Sequence, residues 1–146
     1  MKSVAERIRR LVRLTPRERH LLLRAWWHLR LVNLALRLIP VTWLLPRTPA
    51  ATPMTPPLPL ARIGWLLEVA RRHALVPPTC LKDALVLVRV LRAEGIDATV
   101  KIGVARGDRG LRAHAWVEHR GVPLFQSGDG GTYTALLAAT EPPVPQ

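Results

Sequence analysis

The chain holds one cysteine, Cys80, and its place in the sequence suits a nucleophile. Pro77, Pro78 and Thr79 precede it, and apolar Leu81, Ala84, Leu85, Val88 and Leu91 follow at helical spacing. A helix is therefore expected from Cys80 to about Glu94, with Thr79 as its N-cap and Gly95 as its stop. A thiol in the first turn of a helix meets backbone N–H groups that lack acceptors, and the positive end of the helix dipole. Both favour thiolate over thiol. An imidazole beside it would favour ionisation further and supply the proton that a leaving amine needs. His114 is the best candidate, because it lies within the segment from Ala113 to Glu118, which reads as a strand that can aim it rigidly. Attack of a thiolate on an amide carbonyl, with proton transfer by a positioned imidazole, is acyl transfer through a thioester.

The elements that must position this pair can be read outward from it. Residues 96–105 are rich in Val, Ile and Ala and read as a strand, followed by a polar turn at 106–110. Residues 111–119 and 122–126 read as two more strands, joined by a tight turn at Arg120 and Gly121. Upstream, residues 60–74 have helical spacing through Ile63, Leu66, Leu67 and Ala70. Residues 46–59 carry Pro46, Pro49, Pro53, Pro56, Pro57 and Pro59, which marks a linker or a wrapping strap. Thr15, Pro16 and Glu18 form a capping box with proline at the first helical position, so a longer helix is expected from there to Ile39, where Pro40 stops it. Residues 3–14 carry a short amphipathic pattern through Val4, Ile8, Leu11 and Val12. The expected organisation is α+β, with a basic helical region at 1–45, a Pro-rich strap at 46–59, a Cys-and-His core at 60–137 and a flexible tail at 138–146.

Composition narrows the function classes. A chain of 146 residues is about one domain long, and with 49% apolar but only 5% aromatic residues its core must be mostly aliphatic. One cysteine excludes an internal disulfide, and the Arg-rich start is not followed by an uninterrupted apolar run with a small-residue cleavage site. A cytoplasmic location is expected. The most apolar stretch, residues 20–45, is broken by Arg24, Arg30 and Arg37, so no transmembrane segment is expected. The net charge of +12 is uneven, since residues 1–47 hold 11 Lys or Arg against Glu6 and Glu18, a net of +9. Such a segment suits an anionic membrane surface, an acidic peptide or an acidic protein. No nucleic-acid-binding motif accompanies the charge, so a nucleic-acid partner is not expected. Its Arg side chains are either simply solvated or form a docking face to which Arg10, Arg13, Arg17 and Trp26 or Trp27 contribute. His20, His28, His73 and His119 are scattered, and with one Cys they give no metal-ligand spacing.

A Cys-bearing helix followed by an antiparallel sheet carrying His is the core order of papain-like and transglutaminase-like enzymes. The run Pro78, Thr79, Cys80, Leu81, then Glu94, Gly95, Ile96, then Ile102, Gly103, Val104, and finally His114, Ala115, Trp116, Val117, Glu118 with Gly121 and Pro123 resembles the transglutaminase-like leader peptidases of lasso-peptide biosynthesis. The likeness is to the stand-alone peptidase half of the split B protein, and it covers about residues 60–137. It implies hydrolysis of the bond between leader and core of a ribosomally made precursor. It also implies two partners besides the precursor peptide: a leader-recognition protein, which is the other half of the split B protein, and an ATP-using lasso cyclase. No cofactor or metal is expected, and no phosphate-binding glycine loop is present, so any nucleotide role belongs to the partner.

The same resemblance implies an acid about a dozen residues after the histidine, to orient the imidazole. Twelve residues from His114 lies Gln126, which can accept a hydrogen bond but carries no charge. Asp129 follows in a Gly-rich loop, and Glu118 shares the strand and parity of His114. The candidate set is thus Cys80, His114, and Asp129 or Gln126. Ordinarily a lone cysteine is an inert buried side chain and a strand histidine is structural. The alternative function is accordingly a non-catalytic module that binds a peptide or a membrane surface on a transglutaminase-like scaffold. Acyl transfer to an amine instead of water is a further possibility.

Overall fold

The computed structural model describes residues 13–47, 50, 52, 56–107, 110–124 and 134–138, with backbone alone considered at 105–107 and 134–138. Among the described residues four helices, α1 (Pro16–Leu38), α2 (Val41–Leu44), α3 (Leu60–His73) and α4 (Cys80–Ala93), precede four strands, β1 (Thr99–Gly107), β2 (Gly110–His119), β3 (Val122–Leu124) and β4 (Thr134–Ala138). The class is α+β, as the sequence implies.

Local chemistry explains the helix ends. At α1 the Thr15 side chain accepts from the Glu18 amide at 3.3 Å, and Glu18 accepts from the Thr15 amide at 2.7 Å, completing the capping box. The other Glu18 oxygen accepts from Arg62 Nε at 2.5 Å, so the cap of α1 is tied to α3. Glu18 is buried, and the Arg62 hydrogen bond holds its carboxyl below the ordinary range. At the end of α4 the Gly95 amide donates to the Arg92 carbonyl and the Ile96 amide to the Leu91 carbonyl, with Gly95 at φ 78°. This is a Schellman turn, and Leu91 and Ile96, both buried, supply its apolar contact. The turn consumes Gly95 and Ile96, which is why the first strand starts at Thr99 and not at residue 96.

α4 is buried nearly all round: Ala84, Leu85, Val86, Leu87, Val88, Val90, Leu91 and even Arg92 are inaccessible. α1 packs against it, with Leu21, Ala25, Leu29 and Val32 buried, and also against α3, whose Ile63, Leu66 and Ala70 join the same core. β1 and β2 contribute Val100, Ala115 and Val117 to that core. One cluster thus runs from Leu14 to Val117, so the basic helix and the segment from residue 60 share a core. Long arginines stitch its rim. Arg17 pairs with Glu94 at 2.6 Å and donates to the Pro56 carbonyl at 2.7 Å, and Arg89 donates to the Leu44 carbonyl of α2 at 2.5 Å. Buried Arg92 donates to the Ala98 carbonyl at 3.3 Å, where the chain enters β1.

The sheet has the order β3-β2-β1-β4 and every pairing is antiparallel. Gly103 opposes His114, and Lys101 opposes Trp116. β2 turns into β3 through Arg120 and Gly121, both left-handed at φ 51° and 77°, the turn that matches the twist of a hairpin. β4 returns to pair with β1, with an irregularity between Ile102 and Gly103. The short α2 and the strand β4 were not expected from the sequence. The amphipathic pattern at 3–14 lies outside the described residues except Arg13 and Leu14, and so do residues 125 and 126 of the third expected strand.

Candidate active site

Cys80 is the first residue of α4, and Thr79 caps it with its side chain accepting from the Lys82 amide at 3.3 Å. The Thr79 carbonyl accepts from the Asp83 amide at 3.1 Å. The amides of Cys80 and Leu81 therefore remain as helix-start donors, the kind of group that can hold a developing oxyanion. Lys82 reaches back to the Pro77 carbonyl at 2.8 Å and fixes the approach of the chain to the cap. Cys80 is exposed.

His114 sits in β2 between β1 and β3. Buried Ala115 and Val117 anchor the strand in the core, and His114, Trp116 and Glu118 occupy the alternate positions. The Trp116 ring stacks beside the imidazole with centroids 6.0 Å apart and planes 13° from parallel. Its indole N–H donates to Glu118 at 2.8 Å. Trp116 is thus held at its polar end and pressed along the imidazole at its apolar face. Glu118 stands roughly 13 Å along the strand from His114, with Trp116 between them. Its parity with His114 serves the indole.

Cys80, His114 and Trp116 line one cleft of about 540 Å³, bounded by α3, α4 and β2. The two residues that the sequence singles out therefore line the same cleft. Asp129 and Gln126 lie outside the described residues. The cleft contains three charged residues that sequence reasoning passed over: Glu68 and Arg71 of α3, and Asp83 of α4. Glu68 accepts two bonds from Arg71, at 2.7 and 2.9 Å, and one from Arg72 at 2.7 Å. These hold its carboxyl down at about 2, the Arg71 bond contributing most. Asp83 stands one helical turn from Cys80, and burial pushes its carboxyl up despite the nearby Arg71. The i, i+3 spacing from Cys80 was a signal that could have placed Asp83 in the cleft.

A family model described as the transglutaminase-like superfamily matches residues 19–138. The chain belongs to the transglutaminase-like superfamily. Its members are often cysteine peptidases, and the order of Cys-bearing helix and His-bearing strand in this cleft agrees with that chemistry. The match begins within α1, so the superfamily domain takes in the basic helix as well as the cleft. No curated protein and no solved structure gives a significant match to this transglutaminase-like chain. Among the described residues no group of His, Cys, Asp and Glu is arranged to hold a metal ion, and no helix is long and apolar enough to cross a membrane.

Two docking candidates from the basic region are engaged inside the fold. Arg17 pairs with Glu94, and Trp26 donates its indole N–H to the His73 carbonyl at 2.9 Å. Trp27 is exposed, Arg13 is exposed at the start of the described chain, and Arg10 lies outside the described residues.

Proposed function

We propose that this protein is a cysteine peptidase that removes the leader from a ribosomally made lasso-peptide precursor, acting with a leader-recognition protein and a cyclase. The observation that carries the reading is the placement of Cys80, at a capped helix start, on the same cleft as His114 of the sheet. The Cys80 thiolate attacks the scissile carbonyl, and the amide of its own helix start receives the oxyanion. The imidazolium of His114 gives its proton to the leaving amine, which departs as the free N-terminus of the core. The leader remains on sulfur as a thioester. His114 then takes a proton from water, the hydroxide attacks the thioester carbonyl, and the leader leaves as a carboxylate while the thiolate is restored. Asp129 orients the imidazole in this scheme, with Gln126 as the alternative.

The test is mass spectrometry of a precursor incubated with the protein, with and without a recognition partner. Cys80→Ala is expected to lower the rate of leader release by a factor on the order of 10⁶, as removal of a nucleophile does, while the melting temperature is unchanged. Release at the wild-type rate by Cys80→Ala would overturn the assignment. Asp129→Asn and Gln126→Ala in the same assay identify the residue that orients His114.

A further inference from the structure

α1 carries two apolar faces. One is the buried line of Leu21, Ala25, Leu29 and Val32. The other is Leu23, Trp27, Leu31, Leu34 and Leu38, exposed at 57%, 52%, 54%, 55% and 73%. Their successive spacings of three or four residues set them in one stripe roughly 22 Å long on the outer side of the helix. Ile39 and Trp43, 40% and 72% exposed, are further exposed apolar side chains just past the end of α1. A stripe of this kind on a folded chain marks a contact surface.

Charge decides what it contacts. At about 100° per residue, Arg30 and Arg37 border one edge of the stripe and Arg24 the other. The Arg30 guanidinium lies over the Trp26 ring at 4.2 Å, which props it beside the stripe. From Arg19 to Leu67 the sequence has no Asp or Glu at all. Glu18, the last carboxylate before that interval, is buried against Arg62. The face therefore has a single sign. A second copy of this chain would bring another net charge of +12 against it, and the segment 1–12 carries Lys2, Arg7, Arg9 and Arg10 against Glu6. Both are repelled.

We propose that the outer face of α1 binds an anionic membrane surface, with the helix lying in the plane of the interface. Leucines project into the headgroup and acyl boundary, and the arginine stems follow them down while the guanidinium groups stay with the phosphates. Trp27 and Trp43 are the residues that prefer this depth, where one side of the ring is apolar and the other wet. The convex outer side of a helix sinks into a deformable lipid layer without a preformed hole. An acidic helix of a partner protein would need holes for these side chains and carboxylates along both edges.

Co-sedimentation of the full chain with phosphatidylglycerol vesicles tests this, with phosphatidylcholine vesicles as the uncharged control. Binding to the anionic vesicles is expected, with a blue shift of tryptophan emission and loss of binding at high salt. Leu31→Glu and, separately, Leu34→Gln are expected to lower the partition coefficient by about tenfold, and Arg37→Gln by about fivefold. All three sites are exposed, and circular dichroism checks that each variant is folded. Failure of the wild-type chain to bind phosphatidylglycerol vesicles overturns the proposal and assigns the face to an acidic protein. Equal binding by the folded leucine variants overturns it too, because the attraction would then come from diffuse charge. Neither result bears on leader cleavage, which is measured separately.

Discussion

Trp116 links the two polar groups that flank it in β2. Glu118 takes its indole N–H at 2.8 Å, and its ring stacks beside His114. The indole borders the imidazole on one side, so Glu118 is expected to act on His114 as a positioning residue through Trp116. Glu118→Ala is expected to lower kcat for leader release by about 3- to 10-fold and to alter its pH profile, with little change in melting temperature. Glu118→Gln keeps an acceptor oxygen and should restore most of the rate. An unchanged kcat in the Ala variant would reduce Trp116 to plain filling. At this scale the sequence pointed to Cys80 and His114, which line one cleft, because a thiol after a helix cap and a histidine in an alternating strand are local patterns. It did not disclose what Glu118 does, since that depends on how far the indole between the two reaches. Nor did it disclose Glu68 and Arg71, which reach the cleft only because α1 packs against both α3 and α4.

α3 ends badly, and the defect lies on the path to the nucleophile. Ala74 caps the helix, and Leu75 then adopts φ 57°, the left-handed conformation that a helix end usually gives to glycine or asparagine. Leu75 is also 85% exposed, so its side chain gains little from packing. Leu75→Asn is expected to stabilise the fold by about 0.5 to 1 kcal/mol, measured by urea denaturation. A loss of stability would mean that the leucine has a contact that outweighs the strain. Helix starts and stops were the most legible elements, because the capping box at Thr15, the cap at Thr79 and the glycine after α4 each act within a few residues. The turn at Arg120 and Gly121 was legible for the same reason. β4 was not, since the five residues Thr134–Ala138 have no alternation and find their place beside β1 across a long stretch of chain. The one-turn α2 follows a proline that read as a plain stop, and it is held by the buried Leu44 and by the bond from Arg89 of α4 to the Leu44 carbonyl.

At the scale of the whole molecule, three of the described carboxylates, Glu18, Glu68 and Glu94, pair with arginines of this arginine-rich chain. Glu18 joins α1 to α3, and Glu68 binds two arginines of its own helix. Hydrogen bonds from Arg62 and Arg71 respectively lower these carboxyls, so the native state binds their protons more weakly than the unfolded chain does. Their contribution is fully present above about pH 4.5 and is lost as pH falls, down to about 2 for Glu68. Asp83 runs the other way, because burial raises its carboxyl and its ionisation opposes folding. Stability is expected to fall steeply below pH 4.5, and Glu18→Gln should flatten that slope while costing about 1 kcal/mol at neutral pH. Denaturant melts from pH 2 to 7 measure both, and an unaltered slope in the variant would remove Glu18 from the account. The burial of α4 has one more consequence. Amides enclosed on all sides exchange with solvent only when the entire domain opens, whereas a chain end frays many times before that. The buried stretch Ala84–Arg92 is therefore expected to be among the last to exchange, a rigid base behind the exposed first turn that carries the thiol.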